Sequence, residues 1–268
     1  MVRVCRWTGH EVMTSIHNLL MAAAGAGGAF QVNNSALLND GDSEYFTKTF
    51  SGAPTNQKKF TLSGWYRRDT NNTYDTLFGA ASGATTGRVQ VYWNDDGELI
   101  YEIYHGSGWN TIKTTQTFTS TSSWYNLMIV YDVDNSTSSD KMRIYLDGSR
   151  ITSFASTSYP TSSVNHLMFN DSQPTMIGNS GDNTYYDGYQ AEVVGLDGVA
   201  LTDMSTLGED DGGTWIPIDP TEGNTFSNNS FYLNFASSGA DLGDDASGRG
   251  NDFTNTNSVT QSSTTPTS

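Results

Sequence analysis

Short segments in which apolar and polar side chains alternate recur from residue 30 to residue 235, and turn-forming residues separate each segment from the next. In Lys141–Asp147, for example, Met142, Ile144 and Leu146 fall on one side of an extended chain, and Gly148 then provides a turn. A period of two residues is the signature of a half-buried β-strand. Eleven or twelve such segments with almost no helical pattern predict an all-β protein, an antiparallel β-sandwich rather than a parallel α/β sheet.

Charge and cysteine content limit the classes of partner. The chain of 268 residues carries a formal net charge of −16, and such an acidic surface repels phosphate backbones, so we expect no nucleic-acid partner. Its single cysteine, Cys5, excludes an internal disulfide framework and a cysteine-based zinc cage. No apolar run reaches the roughly 18 residues that a membrane span requires, so we expect no membrane partner either.

The two ends differ from the middle, which predicts a sandwich over 30–235 between a leader over 1–29 and an extension over 236–268. The leader is predicted to form a short helix whose apolar stripe docks on its own domain or on a partner; the stripe consists of Ile16, Leu19, Leu20 and Ala23. The end of the extension, Asn255–Ser268, is so rich in Ser, Thr and Asn that it should be disordered unless a neighbour holds it.

Several motifs occur in the order typical of one family. Phe60-Thr-Leu-Ser-Gly-Trp-Tyr-Arg, Trp124-Tyr-Asn-Leu-Met-Ile-Val-Tyr-Asp and Met142-Arg-Ile-Tyr-Leu-Asp-Gly resemble the central strands of laminin-G-like domains. These domains are concanavalin-A-like jelly rolls. Asp211-Gly-Gly-Thr-Trp-Ile-Pro and Asp245-Ala-Ser-Gly-Arg-Gly-Asn-Asp-Phe-Thr are similar to segments of laminin-G-like proteins from tailed bacteriophages.

That resemblance implies a non-enzymatic virion structural protein, exposed on the particle surface as a head decoration, a head fibre or a tail appendage. Its partners would be other virion proteins of the capsid or tail, and Ile16, Leu19, Leu20 and Ala23 would be the anchoring residues. The alternative is a carbohydrate-binding adhesin for host surface polysaccharide, with or without calcium. A polysaccharide-degrading glycanase is a lower alternative. The sequence leaves the position on the particle and a homo-oligomeric state open.

No set of residues predicts catalysis. A retaining glycosidase needs two carboxyl groups about 5–5.5 Å apart, and laminarinase-like relatives present them as Glu-x-Asp-x-x-Glu on one strand, a pattern that this chain lacks. Glu98 and Glu102 share a strand face but are separated by about 13 Å at the usual rise per residue. We therefore interpret them as a solvated strand face and assign no catalytic residue.

Calcium is the only cofactor that the resemblance implies. Laminin-G-like and pentraxin-like relatives often hold Ca²⁺ between an early acidic residue and a late one, and the matching positions here are Asp40 or Asp42 and Glu192, with Asp187 close to the latter in sequence. Carboxylate and carbonyl oxygens suit Ca²⁺. The competing interpretation is that the Asp-Gly pairs only form turns.

Aromatic residues next to turns are the candidates for glycan contact, because their faces stack on sugar rings while Asp and Asn bond hydroxyl groups. Trp65, Trp124 and Trp215 fit packing positions of the family instead. The predicted glycan-binding residues, all of which also admit a packing role, are Trp93, Asn94, Asp95, Trp109, Tyr185 and Tyr186.

Overall fold

Antiparallel strands dominate the computed structural model, which describes residues 29–71, 74–80, 83, 86–106 and 108–268. The first nine strands are β1 (Ser35–Leu38), β2 (Tyr45–Lys48), β3 (Lys59–Arg68), β4 (Asp75–Ala80), β5 (Thr86–Trp93), β6 (Glu98–His105), β7 (Trp109–Thr117), β8 (Tyr125–Asp132) and β9 (Met142–Leu146). The others are β10 (Ser149–Arg150), β11 (Phe154–Thr157), β12 (Thr175–Ile177), β13 (Gly188–Asp197), β14 (Gly208–Asp211), β15 (Thr214–Pro217), β16 (Phe231–Leu233), β17 (Thr254–Thr256) and β18 (Thr260–Ser262).

Helical structure is limited to single turns in the part of the chain that the structure describes. They are α1 (Pro220–Gly223) and the 3₁₀ helices Asp40–Asp42, Ser138–Asp140 and Gly239–Gly243. None of these described helices is long and apolar enough to cross a membrane. The predicted anchoring stripe of Ile16, Leu19, Leu20 and Ala23 lies outside the described residues.

Two large sheets make up the sandwich. Sheet I has the order β10-β9-β8-β3-β13-β1-β18, with β16 also pairing with β13. Sheet II has the order β11-β7-β6-β5-β4-β12-β2-β17, and β14 and β15 form a separate hairpin. The antiparallel β-sandwich predicted from the period-two segments is therefore confirmed.

Alternation along the strands builds the core between the sheets. In β5, Val89, Val91 and Trp93 are fully buried, whereas the residues between them are partly exposed. A second, smaller cluster covers the outer face of sheet I and includes Met128, Val130 and Tyr145. Sheet I is thus covered on both faces, while strands β5, β6 and β7 of sheet II keep polar side chains on their outer face.

The extension at the end of the chain is held by the sandwich itself. Strand β17 pairs with β2 in sheet II, and β18 pairs with β1 in sheet I. Phe253 and Val259 are 3% and 2% exposed, so each inserts an apolar anchor into the core. The neighbour that orders this Ser- and Thr-rich segment is therefore the protein's own pair of sheet edges.

Candidate functional site

Two of the predicted glycan-binding aromatics belong to the core. Trp93 and Tyr186 are both fully buried, and their ring centroids are 6.0 Å apart. The guanidinium carbon of Arg68 lies 5.4 Å from the centroid of Trp93, and Arg68 is itself paired with buried Asp75. Neither aromatic ring offers a face to a sugar, so the prediction for these two residues is wrong.

The turn between β5 and β6 explains the neighbouring candidates. The Asn94 side chain donates to Glu98 Oε2 and accepts from the Glu98 backbone N–H, each at 2.8 Å. Only 8% of Asn94 is exposed, so its amide closes the turn rather than facing a ligand. Asp95 is exposed at the tip of this turn.

Trp109 and Tyr185 are the two predicted aromatics that reach the surface. Trp109 opens β7 on the outer face of sheet II, where its ring centroid lies 5.1 Å from that of Tyr104. The guanidinium carbon of Arg88 lies 5.2 Å from the same Trp109 ring. Tyr185 lies in the loop before β13 and packs against Tyr45, with ring centroids 6.1 Å apart.

Three neighbouring strands align polar side chains across this outer face. Gln90 of β5 pairs with Glu102 of β6, which pairs with Thr111 of β7. Gln90 Nε2 donates to Glu102 Oε2 at 2.8 Å, and the Thr111 hydroxyl donates to Glu102 Oε1 at 3.0 Å. The carboxylate of Glu102 is therefore held in one orientation by a donor from each flanking strand.

Further rows of side chains flank this central one, because residues two apart on a strand share a face. Tyr104 pairs with Trp109 on one side, and on the other Tyr92 and Lys113 both pair with Ile100. We call this surface the polar face of sheet II. It consists of Arg88, Gln90, Tyr92, Glu98, Glu102, Tyr104, Trp109, Thr111 and Lys113.

The loop between β12 and β13 borders the polar face. Its Asp182 forms an ion pair with Arg88, and its Thr184 hydroxyl is 2.9 Å from that of Thr76 in β4. Gly79 of β4 allows this close approach, since a Cβ there would lie only 2.7 Å from Ser180. Tyr74, half exposed, packs beside Tyr92 at the same border, with ring centroids 5.8 Å apart.

Each charged side chain of the polar face lies close to a group of opposite charge. The Lys113 ammonium donates to Glu98 Oε2 at 2.8 Å, and this bond, with that from Asn94, holds the pKa of Glu98 below its ordinary value. Burial lowers the pKa of the Arg88 guanidinium, and the nearby Glu102 carboxylate opposes that shift. Burial and then the charge of Glu102 raise the pKa of Tyr92.

The implied calcium ligands do not come together. Asp40 and Asp187 are close enough that the Asp40 charge contributes to the raised pKa of Asp187, of which burial is the main cause. Glu192 instead lies on the outer face of sheet I and accepts a hydrogen bond from the Tyr232 hydroxyl. Among the described residues no cluster of three or more metal-ligating side chains forms. The predicted set Asp40, Asp42, Asp187 and Glu192 does not fit one Ca²⁺ ion.

Sequence reasoning singled out Trp109 as a binding residue and placed Glu98 and Glu102 on a solvated strand face, but it missed the other residues of the polar face. Arg88, Gln90 and Tyr92 alternate with Val89 and Val91, and this alternation was the signal that could have identified an outward-facing row. The cross-strand register that brings Glu102 between Gln90 and Thr111 depends on β-bulges in β5 and β7, which the sequence does not reveal.

Comparison with known proteins gives a family match over most of the sandwich. The family model described as concanavalin A-like lectin/glucanases superfamily matches residues 39–203. No curated protein matches the chain. A protein from Bacteroides ovatus described as carbohydrate binding has a TM-score of 0.57 at 17% identity, and the alignment covers 87% of this chain and 60% of that one.

Two further solved structures are more distant. The heptameric SAP-like pentraxin of Limulus polyphemus has a TM-score of 0.45 at 14% identity, covering 65% of this chain and 80% of the pentraxin. The CBM40 module of Ruminococcus gnavus IT-sialidase, bound to α2,3-sialyllactose, has a TM-score of 0.40 at 13% identity, covering 65% of this chain and 95% of the module. At such identities these structures are similar to the chain in fold only.

Proposed function

Because the chain belongs to the concanavalin A-like lectin/glucanases superfamily, we propose that it is a non-enzymatic carbohydrate-binding protein whose site is the polar face of sheet II. The observation that carries the proposal is the clamped carboxylate of Glu102, which lies between Gln90 and Thr111. A carboxylate has about four lone-pair positions, so Glu102, which also accepts from the Tyr92 hydroxyl, can still accept a hydroxyl hydrogen from a sugar. Side chains that are fixed before the ligand arrives lose little entropy on binding.

Aromatic side chains flank this hydrogen-bonding row on both sides. Trp109 and Tyr104 lie at one end of the face, and Tyr92 and Tyr74 lie at the other. Tyr92 and Arg88 are four positions apart on β5, so the face extends about 13 Å along this strand. A surface with apolar rings around a polar centre matches a sugar, whose ring faces are apolar and whose edges carry hydroxyl groups.

Replacing Trp109 with Ala tests the proposed site. Trp109→Ala should weaken glycan binding about tenfold, equivalent to about 1.4 kcal/mol, because the stacking surface beside Glu102 is lost. Calorimetric titration with the oligosaccharides that bind the wild type measures the change.

A matched control for this experiment is Trp124→Ala. Trp124 is also partly buried, but it packs against Tyr189 of sheet I, with ring centroids 6.2 Å apart. This control should bind as the wild type does. Equal affinity of the Trp109 variant and the wild type would contradict the proposal, as would the absence of binding across a broad glycan array.

Binding without hydrolysis is supported by the way the acidic residues of the face are engaged. Glu98 accepts from Lys113 and Asn94, while Glu102 accepts from Gln90 and Thr111. The two glutamates are four residues apart on β6, beyond the separation that a retaining glycosidase uses. Release of reducing sugar from a bound polysaccharide would contradict this part of the proposal and would favour the glycanase alternative.

Display on a phage particle is the second candidate function, and the two functions are compatible. Its support is the resemblance of the segments that begin at Asp211 and Asp245 to those of phage proteins, together with the apolar stripe at Leu19 and Leu20. Quantitative mass spectrometry of purified particles would test it. Absence of the chain from particles would contradict it, as would normal incorporation of a variant with Leu19→Asp and Leu20→Asp.

A further inference from the structure

Both cations of the polar face are engaged by neighbouring side chains. Arg88 forms an ion pair with Asp182, donates to Gln90 Oε1 at 3.1 Å and packs on the ring of Trp109. The Lys113 ammonium is 2.8 Å from Glu98 Oε2. Because each cation already has a carboxylate partner, an incoming carboxylate, sulfate or phosphate would compete with that partner for the cation's charge.

Carboxylates outnumber cations on the polar face and at its border. Glu98, Glu102 and Asp182 face Arg88 and Lys113, in a chain whose formal net charge is −16. The clamped Glu102 carboxylate lies at the centre of the face, where it accepts hydroxyl hydrogens and repels an anion. The local charges and the field of the whole molecule therefore act in the same direction.

We infer that the polar face selects uncharged glycans and rejects glycans that carry uronate, sialate or sulfate groups. The inference rests on the proposed function, because it names the substrate class of the same site. Hydroxyl groups of neutral sugars fit a surface of accepting carboxylates and partnered cations. A site for acidic sugars would need a cation whose charge is not already neutralised by neighbouring side chains of the protein.

Pairs of glycans that share a neutral part and differ in charge provide the test. We expect fully methyl-esterified polygalacturonate to bind at least tenfold more tightly than its de-esterified form, and lactose more tightly than sialyllactose, wherever either member binds. The measurement is calorimetric titration at low and at high salt. The difference should narrow at high salt, since ions screen the repulsion.

The outcomes separate this inference from the proposed function. Tighter binding of the charged members, reduced by Trp109→Ala, would overturn the inference and leave the proposed function standing. Binding that is insensitive to Trp109→Ala, or no binding to any of a wide panel of neutral and acidic glycans, would overturn both.

A charge variant tests the physical cause. Asp182→Asn removes the carboxylate that neutralises Arg88, so binding of the charged members should improve at least fivefold relative to the neutral ones. Asp211→Asn is the matched control, because Asp211 is an exposed carboxylate on the β14–β15 hairpin that packs on sheet I. It should leave the ratio unchanged. An equal change in both variants, or none in Asp182→Asn, would contradict the inference.

Discussion

At the scale of single residues, Glu192 shows how a local irregularity buries a charged group. It lies at the bulge in β13 where pairing with β3 shifts between Ala191 and Val194, and its φ of 50° lies in the left-handed region. Only 8% of the residue is exposed, and its carboxylate accepts from the Tyr232 hydroxyl. Burial, partly offset by this hydrogen bond, raises the pKa of Glu192 to about 7.

This raised pKa makes Glu192 a pH-dependent weak point. The folded protein retains the proton up to about pH 7, whereas the unfolded chain releases it near the ordinary pKa of 4.5. The contribution of Glu192 to stability is therefore full below pH 4.5 and is lost as the pH rises through 7. Glu192→Gln should be more stable than the wild type at pH 8, by up to about 3 kcal/mol at about 1.4 kcal/mol per pKa unit, and equal to it at pH 4.

Urea unfolding at both pH values measures this difference. Buried His166, whose pKa is lowered to about 4 by burial, destabilises both proteins alike as the pH falls from 6.5, so comparison of the two cancels its effect. A gain in stability of the same size at pH 4 and at pH 8 would mean that ionisation of Glu192 is not the cause.

At the scale of elements, the β14–β15 hairpin depends on one aromatic ring. Trp215 of β15 donates from Nε1 to Asn126 Oδ1 at 2.9 Å and packs over the turn between β9 and β10. A Cβ on Gly148 in that turn would lie 2.5 Å from the Trp215 ring, and the φ of Gly148 is +80°. Two independent constraints therefore require glycine at this position.

Two glycine variants separate these constraints. Gly212, at the tip of the hairpin, also has a positive φ of +62°, but a Cβ there would meet nothing within 4 Å. Gly212→Ala should cost about 1 kcal/mol from backbone strain alone. Gly148→Ala should cost about 2 kcal/mol more, because the Trp215 ring must also move. Thermal and urea unfolding give both values, and equal costs would show that Trp215 does not constrain the turn.

Elements with a strong period of two could be predicted from the sequence, whereas weaker ones could not. The strand Met142–Leu146 and the turn at Asp147-Gly148 that follows it were predicted and are observed. Strand β14 was missed because Gly208–Asp211 is mostly acidic and has no apolar alternation. Trp93 was misassigned because its position beside a turn outweighed its being in phase with Val89 and Val91.

At the scale of the whole molecule, the last strands complete both sheets. Strands β17 and β18 cover the free edges of β2 and β1, and Val259 between them is almost fully buried. The sequence could not indicate this, because polar strands pair through their backbones and their side chains carry no apolar signal. The fold class could thus be predicted from the alternation of apolar and polar residues, while the positions of the extension and of the polar face could be seen only in the tertiary structure.

Removal of residues 257–268 should destabilise the sandwich and promote association. The truncation deletes β18, removes the buried Val259 and leaves the edge of β1 unpaired. We expect a thermal midpoint lower by about 5 °C or more and increased light scattering on heating. Val259→Ala, which keeps the backbone pairing, should lower the midpoint less and should not increase scattering. A truncated protein as stable as the full chain would contradict this role of the tail.

The contact between the two ends of the sandwich, beside the β1–β18 pair, also determines how the domain can be joined to another protein. The Thr267 hydroxyl accepts from the backbone N–H of Val32 at 3.1 Å and donates to its carbonyl at 3.0 Å, so the first and last segments of the sandwich run side by side. A unit whose entry and exit points coincide can be inserted into a surface loop of a host protein without stretching it, and its ends can be joined by a short linker and reopened elsewhere. The topology thus makes this sandwich suitable for insertion into another protein and for circular permutation.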